Sequence, residues 1–383
     1  MKLAEYGREV LDDLAELSGM TFEAVEGFGR ELWQLGDDPV RTKQGIVAAC
    51  SVMLATTLAL ALEVQSPWWA AISGFMSLMS TGSGSLRRGT LRLVGTIAGA
   101  CVGFVMARWL PYEHMLLLLF IGGMTMLGVI AMQVSPHGLA WLFLSITSTM
   151  VLLSNLADPL QAVDTAYFRT FEVAIGVASA IIVANLMQDW HAEPPPTAPG
   201  WRHLLDAQWP AVLHGLRSAI AVNVVLVAWV MLDLVEVDGM ALTITMVMAA
   251  PVATSGGLGT RQAVAQRALH RFLGCLFGGI VALLVLALGI TSFPWWLAFI
   301  GAGVWAGTCL QMSTRGLGYL GTQAAFVFVV TLVQGARPPD SIMPGIDRFV
   351  GIACGLGILL IVSLLLWPTD REIEEERRIV QGE

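Results

Sequence analysis

Charge kept inside apolar sequence is costly and rarely idle, so the arginines of this chain are where chemistry can be sought. Arg88, Arg92, Gly95 and Gly99 recur as Arg267, Arg271, Gly274 and Gly278, each 179 residues later. In both runs the arginines lie one helical turn apart, and the Gly-x-x-x-Gly behind them clears room for a close helix neighbour. Four guanidiniums and two helix N-termini would surround one vestibule favourable to an anion, with equivalent helices of the two halves meeting there. Ordinary positive-inside topology accounts for any one of these arginines as well.

A second duplicated set, Pro159, Arg169 and Gly176, recurs as Pro338, Arg348 and Gly355 at the same offset. Within it Glu172 stands where the twin has Gly351, a position that faces another helix rather than lipid. A carboxylate there, balanced between burial and the charge of Arg169, can accept and release a coupling proton. Asp347-Arg348 is the counterpart in the second half, and a structural Arg169–Glu172 pair is the alternative. Trp141 and Ser145 match Tyr319 and Gln323 at an offset of 178, an aromatic ring and a polar group four residues apart, with Thr149 extending the first stripe. Such a face stacks and hydrogen-bonds a planar substrate, or packs two helices.

Membrane helices must position these residues. The 383-residue chain is 56% hydrophobic and 13% charged, which excludes an ordinary soluble domain. Its net charge of −8 sits in the flanks, so the body is slightly basic and no nucleic-acid partner is expected. Five cysteines in apolar runs, without a Cys-x-x-Cys pair, read as packing residues. No metal cluster, nucleophile–base pair or phosphate loop is visible, which points away from an enzyme and from any cofactor.

Apolar runs predict twelve spans, at about 44–64, 68–84, 90–108, 115–133, 138–155, 167–187, 212–233, 238–255, 269–289, 294–311, 317–334 and 347–367. The fold class is therefore all-α and polytopic, in two tandem six-helix repeats covering 41–187 and 210–367. Around them lie two short amphipathic helices in 1–40, broken at Gly19, a linker at 188–209 and a charged tail at 368–383. With both termini cytoplasmic, 17 of 21 Lys/Arg face the cytoplasm, leaving Arg108, Arg169, Arg337 and Arg348 outside. Trp68-Trp69 and Trp295-Trp296 then read as interfacial anchors at the outer surface, Trp190 and Trp367 at the inner one. Glu63, Asp233, Glu236 and Asp238 read as solvated charges at outer span ends. Spans two and eight run into Ser80-Thr-Gly-Ser-Gly-Ser85 and Pro251-Val-Ala-Thr-Ser-Gly-Gly257, which are either helix breaks at a binding site or loops.

On the tandem six-span blocks, the Arg88/Arg92-Gly95-Thr96 signature and its echo at Arg267/Arg271-Gly274, residues 40–367 resemble the fusaric acid resistance and aromatic acid exporter group. The resemblance implies proton-driven efflux of small aromatic carboxylates across a bacterial inner membrane. Plant malate channels are distantly similar, with an anion pore between two six-span chains. The larger exporters carry long cytoplasmic domains, whereas here the linker has 22 residues and the tail 16. Expected partners are a small organic anion, protons and membrane lipids, with a periplasmic adaptor protein and a homo-oligomer left open. A passive anion channel or a membrane scaffold are the alternative functions.

Overall fold

A computed structural model of the chain describes residues 2–157, 161–191, 198, 200–203, 209–232, 234, 236–249, 257–335, 339 and 341–366. These residues are helical, with no strand among them. The helices are α1 (Lys2–Trp33), α2 (Pro39–Ala61), α3 (Pro67–Met76), α4 (Gly82–Met106), α5 (His114–Val134), α6 (Gly138–Ala157) and α7 (Gln161–Met187). The order continues with α8 (Trp209–Leu232), α9 (Val237–Met248), α10 (Gly257–Ala287), α11 (Phe293–Gln311), α12 (Gly318–Leu332) and α13 (Met343–Leu366). Among the described residues, nine helices are long and apolar enough to cross a membrane: α2, α4 to α8, α10, α11 and α13.

Of the other four, α3, α9 and α12 are short, for different reasons of sequence. The run expected to span at 68–84 is helical only over the ten residues of α3, about 15 Å of rise. That is half of a roughly 30 Å hydrocarbon core. Thr81 then caps α4 by accepting the Gly84 N–H at 3.1 Å, so the Ser-Thr-Gly-Ser-Gly-Ser stretch is a helix start rather than a helix interior. The run at 238–255 gives the twelve-residue α9, and residues 250–256 lie outside the described residues. α12 has fifteen residues.

Backbone left free between α3 and α4 is satisfied by polar side chains, Ser85 and Gln188 buried and Gln44 and Arg88 half-buried, as an apolar setting demands. Arg88 Nε donates to the Met76 carbonyl at 2.7 Å, closing the C-terminal end of α3. Gln188 Nε2 donates to the Met79 carbonyl at 2.7 Å, Gln44 Nε2 to that of Ser80 at 3.2 Å, and the Met79 N–H donates to Ser85 Oγ at 2.9 Å. One discontinuous strand of chain thus explains four polar residues within apolar helices.

The duplicated glycines make their close approaches inside each half, not between halves. A methyl group added at Gly95 or Gly99 would strike the carbonyl oxygen of Ala140 or Leu144 on α6. At Gly274 or Gly278 it would strike that of Leu320 or Ala324 on α12. The expected meeting of α4 with α10 therefore gives way to α4 on α6 and α10 on α12. Between the halves, α2 packs on α11, α5 on α8, and each short helix reaches across, α3 to α12 and α9 to α6.

Two short amphipathic helices were the expectation for the N-terminus, but α1 is continuous through Gly19, since one glycine costs a helix only about 1 kcal/mol. Its docked face is Ala24, Gly27, Phe28 and Glu31; of the expected apolar repeat Phe22, Val25, Phe28 and Leu32, only Phe28 belongs to it and the other three are exposed. Phe28 stacks on Phe277 with centroids 4.3 Å apart, and Glu31 accepts from Arg41 Nη1 at 2.7 Å and Ser313 Oγ at 2.8 Å.

Candidate functional site: an arginine cavity between the two halves

The helices meet around a cavity of about 40 Å³, space for only a few water molecules. Its charged lining residues are Arg92 of α4, Arg169 of α7 and Arg271 of α10, and among the described residues no acidic side chain joins them. Arg92 and Arg271 are each only 3% exposed. Helix α4 begins at Gly82, not near residue 90, so Arg92 lies ten residues along it, about 15 Å of rise from its start. The arginines therefore sit deep in the bundle, not at the mouth that a vestibule at span starts required.

Helix packing selects which arginine of each pair reaches the cavity. Arg92 lies with its guanidinium 4.2 Å from the Phe143 ring centroid, and its Nε makes no hydrogen bond within the protein. Arg271 is held on three sides. Its Nη1 donates to Gln323 Oε1 at 2.7 Å and, more weakly, to the Tyr319 hydroxyl at 3.5 Å, while Nη2 donates to Thr243 Oγ1 at 3.2 Å. Arg88 is committed to the Met76 carbonyl, and Arg267 stacks 4.3 Å from the Tyr319 ring centroid, so neither lines the cavity.

Arg169 lies 3.6 Å over the Trp69 ring, with Nε and Nη1 buried and unpartnered. The rings of Trp68 and Trp69 lie 4.3 Å apart, tilted by 31°, and Arg348 lies 4.7 Å over Trp68. These tryptophans are buried, not interfacial anchors: α3 is enclosed on every side, which hydropathy along one helix does not reveal. Trp296 is likewise buried, Trp295 and Trp190 are exposed, and Trp367 lies outside the described residues.

Glu172 is 1% exposed, and its carboxylate accepts the Ser66 N–H at 2.6 Å. No ion pair joins it to Arg169 among the described contacts. Gly351, its counterpart, makes room for Glu236: a methyl group there would lie 3.0 Å from the Glu236 Cβ. Glu236 pairs with Arg348 at 3.3 Å, so it is a partnered, half-buried group rather than a solvated one. Burial raises its pKa and Arg348 opposes the rise. Its backbone is left-handed, at φ 61°, ψ 39°, a strained setting for a non-glycine residue. Asp347 is half-buried and does not line the cavity.

The expected recognition faces are divided by the same packing. Gln323 lines the cavity, whereas Trp141 is 37% exposed and edge-on to Trp201. Ser145 packs against Gly128 of α5, and Thr149 is buried with its hydroxyl unpartnered. The glycine contacts also correct the register. Leu320 and Ala324 take the places of Ala140 and Leu144, an offset of 180 instead of 178, so Phe143 corresponds to Gln323 and Ile146 to Phe326. All four line the cavity, with Trp69, Met76, Thr96, Thr147, Met150 and Met246. Counting from the glycine partners would have found Phe143, because small residues fix register where long apolar stripes do not.

Fold and site together define a multi-pass helical membrane protein with a basic cavity between two halves. The description "Fusaric acid resistance protein family" matches residues 46–200, and "Fusaric acid resistance protein-like" matches 234–362. The chain belongs to the fusaric acid resistance protein family. It is 25% identical over 166 residues to a Gluconobacter oxydans (strain 621H) protein described as an uncharacterized transporter, covering 41% of this chain and 22% of that one. The matched region is thus about a fifth of the relative's length. No solved structure matches the chain.

Proposed function

We propose that this protein is an inner-membrane exporter of small organic anions, aromatic carboxylic acids above all, driven by the proton gradient. The observation that carries the reading is the convergence of Arg92, Arg169 and Arg271 on one cavity without an acidic lining residue. Unpaired guanidiniums in an apolar setting attract an anion strongly, and the rings of Trp69, Phe143 and Phe326 suit its planar body. Family membership and the likeness to a protein described as a transporter support it.

In this reading the two halves are tandem six-helix repeats, twelve membrane helices with both termini cytoplasmic, in which α3 and α9 are discontinuous helices near the midplane. The recurrence of the α4–α6 packing in α10–α12 supports that arrangement. An aromatic acid is larger than the cavity, so the halves must separate to admit it. Glu172, one turn from Arg169, takes up the coupling proton; Arg88, Arg267, Trp141 and Tyr319 line the route or hold it open.

The test is uptake of radiolabelled 4-hydroxybenzoate and fusaric acid into inside-out vesicles, with and without an acid-inside pH gradient. Uphill accumulation that collapses with the gradient is expected, and Glu172→Gln is expected to leave only downhill flux. Downhill flux indifferent to the gradient in the wild type would establish a passive channel instead. Full uphill transport by the variant would remove Glu172 from the mechanism.

A further inference from the structure

The charges around the cavity are not balanced by one negative charge, and this bears on its ligand. Three guanidiniums line it, and Glu172, three residues along α7 from Arg169, is a buried carboxylate beside them. Outside the lining, Asp238 acts on Arg169 and Arg88 on Arg92, one charge of each sign, so the sum stays at two positive charges with the carboxylates ionised. Glu236 is paired with Arg348, which lies against Trp68, and does not line the cavity. A buried charge left unpaired is expensive, so a monoanion leaves the site short by one.

The unused donors also lie at two levels. Arg271 spends Nη1 and Nη2 on Gln323 and Thr243 and leaves only Nε unpartnered, whereas Arg92 and Arg169 make no hydrogen bond among the described residues. Helices α4 and α7 run antiparallel. The start of α4 lies beside the end of α7, with the Gly82 N–H donating to the Asp189 carbonyl, and Gly89 faces Val177. That contact sets Arg92 level with residue 174, five residues from Arg169, or about 7 Å of helix rise. Two positive groups so spaced, each backed by a ring, match two acidic groups held apart by a rigid frame.

We infer that the ligand of this cavity is a dianion with two separated acidic groups, in the simplest case an aromatic dicarboxylate, one group on Arg92 and the other on Arg169. The inference rests on the anion-binding reading above and narrows it. Equilibrium binding to the purified full chain in detergent tests it, with benzoate against benzene-1,4-dicarboxylate, and crotonate against fumarate as the pair without a ring. The diacid is expected to bind at least about 10-fold more tightly than its monoacid, the scale of one added charge-assisted hydrogen bond. Arg169→Gln is expected to abolish that preference while the monoacid's affinity stays within about threefold, and Arg169→Lys to keep it. Monoacids that bind as tightly as diacids overturn this inference alone and leave the anion site standing. A preference that survives Arg169→Gln overturns the assignment of the second acid group. Preference in the fumarate pair only supports the dianion and removes the aromatic substrate. Binding of none of the four overturns both readings. The Arg169→Lys variant separates loss of the charge from loss of the fold.

Discussion

Arg92 and Arg271 occupy matching places on α4 and α10, are equally buried, and reach the same cavity, but their surroundings differ. Gln323 and Thr243 fix Arg271, and Tyr319 adds a long contact. Arg92 rests on the face of Phe143 and makes no hydrogen bond among the described residues; Nε is unpartnered in both arginines. One exchange at a corresponding position, Phe143 for Gln323, accounts for most of the contrast. The carboxylates diverge in the same way. Glu172 projects from α7 in the first half, while in the second Gly351 clears α13 and Glu236 enters from the start of α9. Two halves with one backbone pattern thus hold one arginine as structure and leave the other with capacity for a ligand.

The comparison breaks most severely if the shared backbone pattern is not what holds each half together. Gly95→Leu and Gly278→Leu each force a side chain into a helix backbone, and both are expected to abolish folded protein, since overpacking costs more than about 3 kcal/mol where backbone cannot yield. Monodisperse yield from detergent extracts measures this. A well-folded variant in one half only would mean that the two packings are not equivalent.

Arginine replacement sharpens the contrast itself. Arg271→Gln strands Gln323 and Thr243 and is expected to lower stability by about 1–3 kcal/mol, read as a fall in Tm. Arg92→Gln removes a buried charge with no hydrogen bond and is expected to leave Tm unchanged or raised. Its effect should appear in anion affinity, reduced about 10-fold or more. Equal losses of Tm in both variants would erase the distinction between a structural and a binding arginine.

The smallest effect concerns Glu236, whose raised pKa means that the folded state holds its proton more tightly than the unfolded state. Its stabilising contribution is full below the unfolded value near 4.5 and is lost as pH rises through the higher folded value. The Tm difference between wild type and Glu236→Gln should therefore decline with increasing pH across that window. A difference that grows with pH would show that pairing with Arg348 outweighs burial.

Much of this architecture is written in the sequence. Apolar runs locate the helices because burial in lipid requires them, and Asp38-Pro39 marks a helix start that the Asp38 carboxylate caps at 2.8 Å from the Val40 N–H. The arginine and glycine spacing marks α4 and α10 as special, and Arg169, Glu172 and Gln323 stand out as polar groups in apolar surroundings. Other features were not legible along the chain. Trp68 and Trp69 look like any aromatic pair at a span end, and only the enclosure of α3 makes them partners for arginine. Arg88 and Arg92 share one helix face, yet the break after Met76 claims the first and the cavity receives the second.

By itself, then, the sequence determined which segments are helical and apolar, which charges they must bury, and that two stretches share one pattern. Those properties depend on residue type and near neighbours, through hydropathy, capping and helical periodicity. The tertiary structure decided which arginines meet, which helix the glycines receive, and which ring or amide each guanidinium finds. Those outcomes depend on register between distant helices, where a shift of two residues exchanges Ser145 for Phe143 as the counterpart of Gln323 and no local rule chooses between them.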